Sequence, residues 1–160
     1  MKTNTFYCES TQPKYGDKQN FLDPAPRSLW NFSGSFHITG YVFGFWGADS
    51  KLYDINQNQK LGTEVLSVSG RSYVPAQADR VVIADVIISD GNTETLPGRN
   101  SNNYNDVDGG FYMSHLSSHL NKNLPTGGHL GFKDGHVQWR QFKLMHNRVD
   151  PAKGGKYFWW

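Results

Sequence analysis

The sequence predicts an α+β domain, mostly antiparallel β, with short helical turns. Three observations predict it. Aromatic residues make up 14% of the 160 residues, with five Trp and eight Tyr, and aromatic side chains suit the half-buried surface of a sheet. Seventeen Gly and seven Pro break the chain at short intervals, which favours strands and turns over long helices. Apolar residues alternate or run in short β-branched stretches, as in "RVVIADVIIS" (80–89), rather than recurring at the helical period. With 37% hydrophobic residues, the chain is sized for one domain, residues 1–160, with a real core.

Residues 1–34, with Pro13, Pro24 and Pro26, read as an irregular segment packed on that domain through Phe6, Tyr7, Phe21 and Trp30. A strand is expected from Ser35. There Phe36 and Ile38 alternate with the polar His37 and Thr39, and after Gly40 both faces turn apolar up to Trp46. Residues 47–62 form a loop with a short strand at Lys51–Ile55. "TEVLSVSG" (63–70) is a strand, and "VPAQADR" (74–80) holds one helical turn with Pro75 at its start. Residues 80–89 are β-branched and apolar on both faces, as a central buried strand requires. Asp85 interrupts them. A buried carboxylate must be paired or protonated, so Asp85 is a structural anchor first and a candidate acid or metal ligand second. The tail "GGKYFWW" (154–160) docks as a last strand, because three exposed aromatics would leave a sticky patch.

The stretch "GGHLGFKDGHVQW" (127–139) carries a hairpin. Asp134-Gly135 is a strong signal for a two-residue type I′ turn. That turn pairs Lys133 with His136, Phe132 with Val137, Leu130 with Trp139 and His129 with Arg140. One face becomes apolar (Phe132, Val137, Leu130, Trp139) and the other polar. His129 and His136 then lie roughly 10–13 Å apart at about 3.3 Å per residue, too far to share one zinc ion.

Other polar groups are candidate ligands. The loop 90–110 contains Asn103, Asn105, Asp106 and Asp108 before Gly109-Gly110. Oxygen donors of this kind suit Ca2+, although the spacing is not that of an EF-hand. His115 and His119, at i and i+4 in "MSHLSSHL", would share a helix face; with Asp134 and Asp85 they make the one candidate set for a metal-dependent hydrolase. No nucleophile with an adjacent base is evident, nor a P-loop or dinucleotide fingerprint. The net charge of +2 has no basic run behind it, so nothing calls for nucleic acid. No apolar stretch is long enough to span a membrane. Cys8 is the only cysteine, so no disulfide forms within the chain.

Several of these stretches together resemble a known family: prepilin-type proteins with a processing-associated C-terminal domain, named for a His, nine residues and Asp-Gly. The segment "GGHLGFKDGHVQW" is similar to that family's closing element, with Gly127, Gly128, Asp134, Gly135 and His136 as its marks. "FYCES" (6–10) resembles its cysteine element, and "VPAQADRVVIADVIISD" its strand ending in Ala-Asp. His119 stands in the place of the motif histidine, with fourteen residues rather than nine before Asp134, and "NKNLPT" resembles an insertion. The resemblance implies a pilin-like globular head, beginning here after the place of the apolar N-terminal helix. It implies a structural or secretion-associated (type II secretion, type IV pilin-like) subunit of the cell envelope or extracellular face. Such a subunit has no catalysis, and its partners are other pilin-like subunits or envelope proteins. The alternative is an extracellular module using Ca2+ at residues 103–108 to hold a glycan or protein surface. The third reading is the hydrolase.

Overall fold

The computed structural model describes residues 7–11, 16, 39–43, 66–68, 71–73, 80–95, 97–108, 114–149 and 156–160. The strand at residues 35–38 with His37, the strand Lys51–Ile55, the turn at 74–79 and most of the segment 1–34 lie outside the described residues. The strands are β1 Tyr41–Phe43, β2 Leu66–Val68, β3 Arg71–Tyr73, β4 Val81–Asp85, β5 Ile88–Ser89, β6 Leu120–Asn121, β7 Leu124–Pro125, β8 Gly127–Phe132, β9 Val137–Gln141 and β10 Tyr157–Phe158. Every pairing among them is antiparallel.

The α+β, pilin-like head expected from the sequence is not what the chain forms. Among the described residues there is no α-helix, only isolated 3-10 turns at Glu9–Thr11, Gly98–Ser101 and Phe142–Leu144. The physical reason is visible at "MSHLSSHL". Ser117 and Ser118 bind neighbouring backbone instead of continuing a helix. Ser117 Oγ accepts from Ile88 N–H (2.8 Å) and donates to Ile88 C=O (2.7 Å), and Ser118 N–H donates to Val86 C=O (2.8 Å). His115 pairs with Val107 as a β-bridge. The segment is extended, and His115 and His119 share no helix face.

A four-stranded sheet in the order β1-β4-β8-β9 forms the frame. Residues 80–89 are not one strand. The chain leaves this sheet at Asp85, and β5 pairs instead with β10, Ile88 with Phe158 and Ser89 with Tyr157. Two apolar clusters result, each holding one of the terminal tryptophans. Ala84, Leu130, Phe132 and Val149 pack with Trp160. Ile87, Tyr104, Phe142 and Met145 pack with Trp159, whose indole N–H donates to Ser89 Oγ (2.8 Å). Arg99 is buried beside this second cluster, where its guanidinium donates to the carbonyls of Phe142 and Met145 (2.9 and 2.8 Å). It also lies against the rings of Phe142 and Trp159, so its charge is met by carbonyls and π faces.

The β8–β9 hairpin closes one residue away from the expected register. Gly131 pairs with Val137, Leu130 with Gln138, His129 with Trp139 and Gly128 with Arg140. The loop has three residues, Lys133 to Gly135. Gly135 N–H donates to Phe132 C=O, and Phe132 N–H to His136 C=O. Gly135 has φ +94°, the positive-φ position that closes a three-residue loop. The slip moves Val137 and Trp139 off the core face: they are 67% and 41% exposed, whereas Leu130 and Phe132 are buried.

Candidate functional site

The corrected register sets up a row of side chains across the outer face of the four-stranded sheet. Tyr41 pairs with Asp85, and His129 pairs with Trp139. Because Ala84 pairs with Leu130, the next position along places Asp85 opposite His129. The row therefore runs Tyr41, Asp85, His129, Trp139. Gly128 keeps the crossing open, since a Cβ there would stand 3.2 Å from the Asp85 Cβ.

His119 arrives from above this row. It precedes the small hairpin β6–β7, and Thr126 at the far end donates to its carbonyl through both N–H (3.0 Å) and Oγ1 (2.9 Å). The residues that lengthen the spacing between His119 and Asp134 thus fold back on themselves. His119 has φ +54°, an uncommon backbone state for a non-glycine residue. Its Nε2 lies 2.8 Å from Asp85 Oδ2. The same oxygen accepts from His129 N–H (2.8 Å) and faces His129 Nδ1 (3.1 Å). Trp139 packs edge-on against both imidazoles, with centroids 4.9 Å away in each case.

Cys8 completes the group from a point 111 residues away in sequence. Its Sγ is 3.6 Å from His119 Nε2 and 2.9 Å from Ser10 Oγ. Ser10 Oγ in turn accepts the His119 backbone N–H (2.9 Å), so one serine fixes both residues. Among the described residues, Cys8, Asp85 and His119 bring ligand atoms within 4.8 Å of one another.

The electrostatics follow from this packing. Asp85 is 5% exposed and His119 19%. Burial pushes the Asp85 carboxyl up, but hydrogen bonds from His119 and His129 outweigh it and hold the group below its ordinary value. The bonds to Asp85 and then Cys8 raise His119 to about 9 against the cost of burial. Burial likewise opposes the Cys8 thiolate, and the contacts with His119 and Ser10 prevail, lowering the thiol. Tyr41 is raised, first by burial and then by the Asp85 and Cys8 charges.

The other sequence candidates lie elsewhere. Asp134 and His136 meet at the hairpin tip, Oδ1 to Nδ1 at 2.6 Å, and His136 stacks on Phe132 at 4.2 Å. The tip is five residues from His129, about 16 Å along the strand, so the set His115, His119, Asp134 and Asp85 does not converge. In the 103–108 loop, Asn103 Oδ1 accepts the N–H groups of Asn105 and Asp106, both at 3.1 Å. Asn103 Nδ2 donates to Asp90 Oδ2 (3.1 Å) and Asp106 C=O (2.7 Å). Ser114 Oγ donates to Asp106 Oδ1. These groups close the loop on itself, while Asp108 lies exposed beside it. Gly127 and Gly128 lead into the site at the start of β8, and a Cβ on Gly127 would overlap the Arg140 carbonyl oxygen.

In the sequence Cys8 reads as a lone thiol. The contacts of Cys8, Asp85, His119 and His129 join residues far apart in the chain, and no short pattern around Cys8 announces them. No known protein family, curated protein or solved structure matches this chain.

Proposed function

We propose that this chain is a structural, secretion-associated subunit of the cell envelope, without catalysis of its own, that contacts other envelope proteins. The observation carrying this reading is that the stretches of the resemblance spend their polar groups on one another. A Cys-His-Asp relay needs the acid on one imidazole nitrogen and the nucleophile on the other. Here Asp85 and Cys8 both face Nε2 of His119. That arrangement suits a clasp between distant segments rather than proton transfer. It ties the segment 7–11, the end of β4 and the start of β6 to the outer face of the sheet.

Fractionation of the source cells with a tagged chromosomal copy, followed by cross-linking, tests the proposal. The tag is expected in the envelope or sheared surface fraction, cross-linked to envelope proteins. Recovery of the tag as a free cytosolic species would overturn it.

A further inference from the structure

We propose that Cys8, Asp85 and His119 are the ligands of a zinc-type divalent transition-metal ion that stitches the segment 7–11 onto the sheet. A thiolate sulfur, an imidazole nitrogen and a carboxylate oxygen are three of the donors that zinc prefers. They come here from three separate parts of the chain, and their donor atoms lie within 4.8 Å of one another.

The geometry around His119 Nε2 favours a shared cation over hydrogen bonding alone. That nitrogen faces two electron-rich atoms, Asp85 Oδ2 at 2.8 Å and Cys8 Sγ at 3.6 Å. It carries at most one proton to offer them. A cation between the three satisfies all of them at once. With bonds near 2.0–2.3 Å to nitrogen, oxygen and sulfur, a tetrahedral ion needs donors roughly 3.3–3.7 Å apart. The His119–Cys8 distance already fits, the His119–Asp85 contact must open slightly, and Asp85 and Cys8 lie within 4.8 Å of one another.

The surroundings resemble the outer support of a metal site. Histidine and carboxylate ligands are held by further hydrogen bonds that orient them. Ser10 Oγ holds both the Cys8 sulfur and the His119 backbone, and His129 holds the Asp85 carboxylate through backbone and ring. His119 sits in its uncommon positive-φ conformation, and such strain collects at functional sites. His119 and Cys8 are only partly buried, so an ion has a way in, and three protein ligands leave a fourth position for water. Binding displaces the protons of the Cys8 thiol and of His119 Nε2 into solvent. Closing the 111-residue separation between Cys8 and His119 with a metal bond restricts the unfolded chain, as any long cross-link does.

The test is titration of the chelator-treated full chain with Co2+ and then Zn2+. We expect a sulfur-to-cobalt charge-transfer band saturating at one ion per chain and bleached by zinc, with a melting temperature that rises with zinc and falls again with chelator. Because Cys8 is the only cysteine, the band reports this site alone. Cys8→Ser, checked for folding by circular dichroism, should lose the band, and Ser10→Ala should weaken zinc on the order of 10-fold. His136→Ala, at the distant hairpin tip, should bind as the parent does. No band in the parent chain, or zinc affinity unchanged in both Cys8→Ser and His119→Gln, would overturn the site.

Discussion

An aspartate–histidine pair sits at the tip of the β8–β9 hairpin and another is packed against its base from β4 and the segment before β6, and the two behave differently. At the tip, Asp134 and His136 are two residues apart, both exposed, and joined by a 2.6 Å contact. At the base, Asp85 and His119 are 34 residues apart and joined at 2.8 Å, with the carboxylate buried. The tip contact is the shorter, yet the base organises the fold. Solvent screens the tip pair and the chain is already local there, so little is gained by forming it. At the base the carboxylate has lost its water, and each bond to it joins segments that would otherwise be independent. Contact distance alone therefore ranks the two pairs wrongly; burial and sequence separation rank them correctly.

Substitutions at both ends would break that comparison if it is wrong. The largest effect is expected at Asp85. Asp85→Asn keeps the shape and removes the charge, leaving His119 without its counter-ion. The expected cost is about 3 kcal/mol, or roughly 6–12 °C in melting temperature for a chain of this size. Asp134→Asn should leave the melting temperature within experimental scatter. Equal losses at the two sites would remove the distinction.

Gly135→Val acts on the tip through the backbone instead of the pair. No atom lies within 4 Å of the Cβ it would add, but φ is +94°. The left-handed conformation costs a branched residue about 1–2 kcal/mol, so thermal unfolding should move down by a few degrees without any change at the base. An unaltered transition would mean that the loop is not the three-residue form.

A pH series sharpens the contrast further. His119 is raised to about 9 from 6.5. The stability it adds is fully present below 6.5 and is lost as pH rises through about 9. Asp85 is held below its ordinary 3.8; its contribution is present above 3.8 and is lost as pH falls through the depressed value. The gap in melting temperature between the parent chain and Asp85→Asn should therefore be widest at pH 4–6.5 and narrow toward either end. A gap that stays constant from pH 5 to pH 9 would contradict the ion pair.

A small effect is likewise expected from His136→Ala, which loses the Asp134 contact and the stack on Phe132 at an exposed site: a change within about 0.5 kcal/mol by thermal unfolding.

Parts of this arrangement were legible in the sequence. The β-branched run around Asp85 announces a buried carboxylate that needs partners, and Asp134-Gly135 announces a hairpin. The same Asp-Gly pair serves a two-residue I′ turn and a three-residue loop with glycine at positive φ. Local sequence does not choose between them. The one-residue difference decides whether His129 faces Arg140 or Trp139, and so whether the outer face carries a cation or an aromatic wall. The i, i+4 spacing of His115 and His119 suggests a helix, but the Ser117 hydroxyl takes both backbone groups of Ile88 and the segment stays extended. Cys8 and Arg99 gave no local signal. Their partners lie 111 residues away at His119 and more than 40 residues away at Phe142 and Met145, and a single sequence does not encode such pairings in any short pattern.

The most direct test is the imidazole titration of His119 by NMR in the chelator-treated protein, assigned by comparison with His119→Gln. A midpoint near 9 is expected, with the imidazolium still the dominant form at pH 8, moved toward the ordinary range by Asp85→Asn. A midpoint near 6.5 that ignores Asp85→Asn would mean that these residues do not meet, and the clasp would be gone.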